Sequence, residues 1–346
     1  MIKLLGRARL LALQTSALAV LGAAIPGSLS ADEPKASPAA KLVEARKIWD
    51  QAPHNAFTDL VRFQGKWFCT FREGAGHVSL DGALRVIESE DGETWTSAAR
   101  IESKNSDLRD AKLSVTPQGR LMLTGAEALH DKSKNTHQSL AWFSDDGREW
   151  SEAHPIGDPD FWLWRSTWHE GKAYGIGYSV TDDRSVRLYE SPDGKTYSTV
   201  VERLDVSGYP NESSIVFEGD VAYCLLRRDP AAGLLGTSHA PYREWTWKDL
   251  GKQIGGPHMI RLEDGRFVAA VRLHQPAVRT SLCWIDPQAG TLEEFLALPS
   301  GGDTSYAGLV EHDGLLWVSY YSSHEGKTSI YLAKVRLVPQ APGEGG

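Results

Sequence analysis

The chain has 346 residues, a formal net charge of −8 and an apolar share of 41%. This length and apolar content are sufficient for a buried core of a few hundred residues. The acidic balance, without any basic block or stripe, argues against a nucleic-acid partner, because phosphate binding needs clustered Lys and Arg. The three cysteines are far apart and lie in apolar runs, so they predict neither a disulfide framework nor a zinc site. The sequence contains no metal-binding motif, and we expect no cofactor.

The N-terminus has the pattern of an export signal. Basic residues precede an apolar run over residues 10–25, and Ser28 and Ser30 suit a cleavage site. The run is too short and wrongly flanked for a spanning helix, so we predict a secretory signal peptide over residues 1–30. An uncleaved lipid or membrane anchor is the alternative. Residues 31–40 predict a disordered linker, and the mature protein is expected to be secreted or periplasmic, without membrane attachment.

One seven-residue pattern, Ser-x-Asp-Gly-x-x-aromatic, occurs three times, at residues 89–95, 144–150 and 191–197. Each copy follows a short apolar run. Asp-Gly between two strand-like runs predicts a hairpin, because Gly takes positive φ freely and Asp bonds the backbone of its own turn. Three copies in the same context predict a repeated supersecondary unit.

These heptads resemble the Asp-box of the sialidase superfamily, whose members fold as six-bladed β-propellers. In that family the box lies on an outer hairpin, away from the active site. The resemblance therefore implies the fold and assigns no catalytic residue by itself.

Six successive units follow the same plan, with four short strands separated by turns and no sustained helical period after residue 50. Four strands per unit are typical of a propeller blade. We predict an all-β fold, a six-bladed β-propeller of four-stranded antiparallel blades, as a single domain over residues 41–340. The run 41–49 is expected to complete the last blade. The units begin near Asn55, Asp107, Phe161, Tyr209, Gly256 and Asp303.

The innermost strands of a propeller converge on its axis, so the entries of the first strands and the exits of the second strands should line one cavity. Charged residues recur at these positions. Burying them is costly unless they form ion pairs or take part in binding or catalysis. A salt-bridge network that plugs the channel is the structural alternative. The entries include Asp59, Arg109, Asp110, Arg165, Glu212, His258 and Tyr306; the exits include Arg72, Arg227, Arg228 and Arg272.

Sialidases use a Tyr nucleophile activated by a Glu, an Asp acid/base and three arginines that bind the substrate carboxylate, an exception to the two-carboxylate rule of glycosidases. By resemblance, Tyr306 matches the nucleophile and Glu212 its partner. Arg228 (or neighbouring Arg227) and Arg272 match the second and third arginines. A guanidinium group binds a carboxylate in bidentate fashion, which suits this role. The resemblance implies an exo-sialidase-like glycoside hydrolase acting on an acidic glycan.

The first arginine of that triad has no counterpart, because the corresponding stretch 54–59 contains none. Arg72 and Arg109 are candidates to supply a guanidinium from other strands. Asp59 or Asp110 is expected to be the acid/base, and the sequence does not choose between them.

Two further positions are candidates for substrate contact. Trp164, beside Arg165, ends an aromatic run that suits stacking on a sugar, with packing between blades as the alternative. His258 lies at the entry to the fifth unit and suits a substrate hydrogen bond, with a structural histidine as the alternative.

Two other functions fit the same positions. Residues 109–113 resemble the Arg-Asp-Pro motif of five-bladed glycosidases that cleave fructosides, arabinosides and xylosides. Asp59, Asp110 and Glu212 would then supply the nucleophile or base, the orienting carboxylate and the general acid. A non-catalytic carbohydrate- or protein-binding propeller is the other alternative, because a fold does not determine a function. We expect an exported hydrolase of a terminal glycosidic bond, with a glycan as its partner and an undetermined oligomeric state.

Overall fold

The computed structural model describes residues 40–338, which form six antiparallel sheets of four strands each. The predicted six-bladed β-propeller is therefore confirmed. The predicted signal peptide and all of the predicted linker except residue 40 lie outside the described residues. Within residues 40–338, no helix is long and apolar enough to cross a membrane.

Each blade runs outward from the axis in chain order. Strand β1 (Ala40–Trp49) belongs to the last blade. The other strands, from inner to outer, are β2 (His54–Phe63), β3 (Lys66–Gly74), β4 (Ala83–Ser89) and β5 (Thr96–Ile101) in blade one; β6 (Ser106–Val115), β7 (Leu121–Leu129), β8 (His137–Ser144) and β9 (His154–Ile156) in blade two; β10 (Phe161–His169), β11 (Lys172–Ser179), β12 (Val186–Ser191) and β13 (Ser198–Val201) in blade three; β14 (Tyr209–Glu218), β15 (Val221–Asp229), β16 (Leu234–His239) and β17 (Thr246–Asp249) in blade four; β18 (Ile254–Arg261), β19 (Phe267–Leu273), β20 (Arg279–Asp286) and β21 (Thr291–Ala297) in blade five; and β22 (Thr304–His312), β23 (Leu315–Ser322) and β24 (Ser329–Leu337) in blade six.

The ring is closed by pairing between the two ends of the described chain. Strand β1 pairs antiparallel with β24, with Ala45 opposite Ala333, and so supplies the outer strand of blade six. This confirms the prediction for residues 41–49. In the closed ring, both faces of each inner strand pack against neighbouring blades. The residues of the inner and second strands are therefore nearly all buried, and buried and exposed residues do not alternate along them.

The three repeated turns join the third and fourth strands of blades one, two and three. In the first turn, Asp91 Oδ1 accepts backbone hydrogen bonds from Glu93 (2.7 Å) and Thr94 (2.8 Å), and Ser89 Oγ accepts one from Gly92 (2.8 Å). These backbone hydrogen bonds lower the pKa of Asp91 to about 2. The side chain of Trp95 donates to Gly92 O at 3.2 Å, which folds the aromatic ring back onto the turn.

These turns also contact the neighbouring blade. Gly147, in the turn of blade two, has a φ of 78° and lies directly against Phe68 of blade one. A Cβ atom at this position would be 2.2 Å from a ring carbon of Phe68. The glycine is therefore required both by the backbone conformation and by the packing between blades.

Gly147→Ala is expected to destabilise the protein more than Gly119→Ala. Both glycines have positive φ, 78° and 73°, but nothing lies within 4 Å of a Cβ atom at Gly119. The left-handed backbone should cost either variant about 1–2 kcal/mol, and overpacking against Phe68 should add about 1–3 kcal/mol for Gly147→Ala alone. Equilibrium chemical denaturation measures the difference. Equal losses in the two variants would show that the contact with Phe68 is not important.

Candidate active site

Every inner strand has a β-bulge at the same level, where two residues oppose a single residue of the second strand. Bulges redirect side chains and are common beside active sites. The first bulge residue has positive φ in blades one, two, five and six, which is strained for a residue other than glycine. The six bulges are formed by Phe57 and Thr58, Asp110 and Ala111, Trp164 and Arg165, Asn211 and Glu212, Gly256 and Pro257, and Tyr306 and Ala307.

The bulges of blades four and six bring Tyr306 and Glu212 into contact beside the bulge of blade five. The Tyr306 hydroxyl donates to Glu212 Oε1 at 2.5 Å, and the second oxygen, Oε2, accepts from the backbone N–H of Gly256 at 2.8 Å. Gly256 has a φ of 54°, and a Cβ atom there would be 2.8 Å from the Tyr306 ring. The close approach of these three residues therefore depends on a glycine.

Two arginines flank this pair. Arg227 Nη1 donates to Glu212 Oε1 at 2.8 Å and to the Tyr306 hydroxyl at 3.2 Å. The guanidinium of Arg272 lies over the Tyr306 ring, 5.2 Å from its centroid, and donates to the Tyr321 hydroxyl at 3.1 Å. Burial, reinforced by the charge of Glu212, raises the pKa of Tyr306 despite the two arginines. Both effects favour the neutral phenol, whose hydroxyl donates to a carboxylate.

Asp110 is the second carboxylate at this level. It is 5% exposed, and within residues 40–338 its carboxylate accepts no hydrogen bond; the closest cation is Arg109 Nε at 3.7 Å. Burial raises the pKa of Asp110, Glu212 adds to the rise, and Arg109 and Lys112 oppose it. A carboxyl group without a partner and with a raised pKa suits a proton donor.

The residue that follows each bulge belongs to a lower tier, formed by Asp59, Lys112, Ser166, Ser213, His258 and Gly308. Sequence reasoning missed Lys112. Its ammonium group is 5.2 Å from the centroid of the Trp164 ring, and burial together with Arg165 lowers its pKa to about 8. The sequence signal was a lysine between the apolar residues Ala111 and Leu113 of an inner strand.

Asp59 lies in this lower tier and is already paired. Its Oδ2 accepts from Arg165 Nη1 at 2.8 Å and from the backbone N–H of Leu113 at 2.8 Å, and the residue has no exposed surface. Arg165 and His258 both line a cavity of about 490 Å³ formed by the far halves of β6, β10, β14 and β18. Asp59 and His258 therefore lie below the Tyr306 and Glu212 pair, and Arg165, although a bulge residue, directs its guanidinium to Asp59 in the lower tier.

Two other candidate arginines form hydrogen bonds and ion pairs away from Tyr306 and Glu212. Arg72 has no exposed surface and donates to Asp107 Oδ1 at 2.8 Å and to the oxygens of the loop after β3. Arg228 pairs with Asp249 at 2.6 Å and donates to Ala232 O at 2.9 Å. Neither contacts Tyr306 or Glu212; of the two adjacent arginines in β15, it is Arg227 that does so.

Trp164 and Arg109 lie beside the catalytic candidates. Trp164 is 3% exposed, and its ring meets Tyr306 edge-on with a centroid distance of 5.7 Å. Arg109 is 3.3 Å from Asp107, and its guanidinium lies 5.4 Å from the centroid of the Phe57 ring. Phe57 occupies the bulge of blade one, within residues 54–59, the stretch in which the resemblance to sialidases implies the first arginine of the triad.

Comparisons with known proteins identify the fold. No family model and no curated relative matches the chain. A protein of unknown function from Dyadobacter fermentans has a TM-score of 0.76 at 18% identity and covers 87% of this chain and 100% of its own. A Trypanosoma rangeli sialidase has a TM-score of 0.68 at 14% identity over 87% of this chain and 59% of its own, so this chain spans less than two thirds of that protein.

A Penicillium chrysogenum α-L-arabinanase, solved with arabinobiose, has a TM-score of 0.65 at 15% identity and covers 88% of this chain and 100% of its own. At these identities the similarity is one of fold. This chain has the six-bladed propeller architecture of sialidase and arabinanase structures.

Asp59→Asn is expected to destabilise the protein by about 3–5 kcal/mol, because it leaves the buried Arg165 without a counter-charge. The double variant Asp59→Asn with Arg165→Met should regain part of this loss, since both charges are then absent. Urea denaturation of the two variants tests the structural role. A single variant of unchanged stability would contradict it and would return Asp59 to the candidates for proton transfer.

Proposed function

We propose that this protein is a glycoside hydrolase in which Tyr306 is the nucleophile, Glu212 accepts its proton and Asp110 is the acid/base. The observation that supports this most directly is the 2.5 Å hydrogen bond from the Tyr306 hydroxyl to Glu212 Oε1. The fold similarity to sialidase and arabinanase structures supports the same reaction class.

In the first step the Tyr306 oxygen attacks the anomeric carbon while its proton passes to Glu212. A phenol with a raised pKa is a weak nucleophile unless a base takes the proton during attack, and Glu212 is within hydrogen-bond reach for this transfer. Arg227 contacts both oxygens, at 2.8 Å and 3.2 Å, so it stabilises negative charge on whichever oxygen holds it.

Asp110 completes the reaction on the leaving-group side. In its protonated form it donates to the glycosidic oxygen as that bond breaks. The resulting carboxylate then accepts a proton from the water that attacks the anomeric carbon, and Glu212 returns its proton to the Tyr306 oxygen as the bond between Tyr306 and the sugar breaks. The absence of a hydrogen-bond partner for Asp110 within the described chain leaves its carboxyl group available to the substrate.

The substrate we propose is a terminal sugar that carries an anionic group. A neutral tyrosine can approach such a sugar, whereas a carboxylate nucleophile would be repelled by it. Arg272 lies over the Tyr306 ring and is positioned to bind the anion. Export of the enzyme to the periplasm or the medium, where glycans are accessible, is part of the same proposal and is based on the N-terminal sequence.

A second candidate is a glycosidase in which Glu212 attacks directly and Asp110 is the acid. The specific observation in its favour is the absence of an arginine from residues 54–59, where the resemblance to sialidases implies one, together with the fold similarity to an α-L-arabinanase. This enzyme would act on a neutral sugar, and Tyr306 would only orient the attacking carboxylate.

Tyr306→Phe distinguishes these candidates. On an acidic aryl glycoside, loss of the nucleophile should lower kcat by at least about 10³-fold. Tyr320→Phe is the matched control, because its hydroxyl bonds to Pro299 O rather than to a catalytic candidate, and its activity should stay within a few-fold of wild type. Retention of activity on a neutral sugar in Tyr306→Phe would favour direct attack by Glu212. No turnover on a broad panel, with glycan binding intact, would indicate a binding propeller.

Asp110→Asn should lower kcat/KM, which reports the first step, by about 10²–10⁴-fold on substrates with poor leaving groups and much less on activated aryl glycosides, which leave without a proton. The wild-type rate should fall as the pH rises through the raised pKa of Asp110, because the acid must be protonated to donate. The variant should lack this alkaline limb. Equal losses for good and poor leaving groups, with an unchanged pH profile, would exclude Asp110 as the acid.

A further inference from the structure

Two histidines and an aspartate converge where blades one and six meet. Asp303 Oδ2 is 3.0 Å from His54 Nε2 and 2.7 Å from His77 Nδ1. The three potential ligand atoms all lie within 4.8 Å of one another. His54 begins β2, His77 lies in the loop between β3 and β4, and Asp303 immediately precedes β22. Three separate segments therefore direct nitrogen and oxygen donors towards one point.

We propose that His54, His77 and Asp303 bind one divalent transition-metal ion, of the class that includes Zn²⁺. Imidazole nitrogen with carboxylate oxygen is a donor set that Zn²⁺ and its neighbours in the first transition series accept. Three protein ligands leave at least one coordination position for water or another oxygen donor. The ion would replace the direct contacts between the aspartate and the two imidazoles.

The surroundings of Asp303 fit a ligand. Its other oxygen, Oδ1, accepts from the Tyr321 hydroxyl at 2.8 Å, and that hydroxyl accepts from Arg272 Nη2 at 3.1 Å. Partners of this kind orient ligating carboxylates and leave the second oxygen for the metal. The ring of Phe57 packs edge-on against His77, with centroids 5.1 Å apart, and shields one side of the cluster.

The degree of burial also suits an ion that exchanges with solvent. His54 is 7% exposed, whereas the side chain of His77 is 49% exposed. The ion would therefore have a fixed side formed by the inner strands and an accessible side at the loop. It would link the first and last blades at the closure of the ring and would hold the loop of residues 75–82 beside Phe57, whose ring contacts Tyr306 with a centroid distance of 5.2 Å.

Zinc titration of the full chain tests the proposal. Untagged protein is treated with a chelator, dialysed and titrated with Zn²⁺ by calorimetry, with thermal denaturation of the same samples. We expect one ion per chain and a higher Tm with Zn²⁺, because an ion that binds only the folded state stabilises it. His77→Ala, a change in an exposed loop, and Asp303→Asn should each weaken binding by at least about 100-fold.

His239→Ala is the matched control, since this exposed histidine ends β16 and lies outside the cluster. It should bind Zn²⁺ as wild type does. Absence of binding by the wild type, or equal affinity in His77→Ala, would overturn the proposal.

Substitution with Co²⁺ gives a second measurement that does not depend on stability or activity. A site with two imidazoles and a carboxylate should show visible ligand-field absorption that saturates at one equivalent and disappears in His77→Ala. Bands that persist in that variant would locate the metal elsewhere and contradict the assignment.

Discussion

Closure of the ring brings six inner strands together around one axis. The charges on those strands must then be neutralised inside the protein. A buried ion without a partner costs several kcal/mol, so each charge is either paired or held at an altered pKa. Asp59 is paired with Arg165 in the lower tier, and Glu212 with Arg227 at the level of the bulges. Asp110 has only a loose ion pair with Arg109, at 3.7 Å, and its pKa is raised by burial; it is the residue for which we propose a proton transfer.

The bulges determine which residues face the site. Each adds one residue to an inner strand, and a shift of one residue exchanges the two faces of a strand. Asp110 and Tyr306 are both first bulge residues, in blades two and six, and both have positive φ, 54° and 49°. Such strain persists only where the surrounding structure imposes it, and here the closed ring of blades does so.

Much of the fold could be predicted because its signals are local. Three copies of one turn, four strands per unit and a leftover strand before the first unit together specify the propeller and its closure. The resemblance to sialidases also indicated Tyr306 and Glu212 as partners, and both lie at the entry of a first strand. The structure brings them into contact between blades four and six.

The remaining assignments depend on one-residue differences that the sequence does not display. Asp59 follows the bulge of blade one, whereas Asp110 lies within that of blade two, and Arg227 rather than Arg228 lies opposite the bulge of blade four. Lys112 follows a bulge and so joins the lower tier. The cluster of His54, His77 and Asp303 could not be predicted from the sequence either, because its members are distant in sequence and meet only when the ring closes.

The most direct test of the central claim is to trap the glycosyl-enzyme intermediate with a fluorinated acidic glycoside and to locate the adduct by peptide mass spectrometry. We expect one sugar per chain, attached through an aryl glycosidic bond to the Tyr306 oxygen. An adduct on Glu212 would instead show a carboxylate nucleophile and would contradict the proposed role of Tyr306.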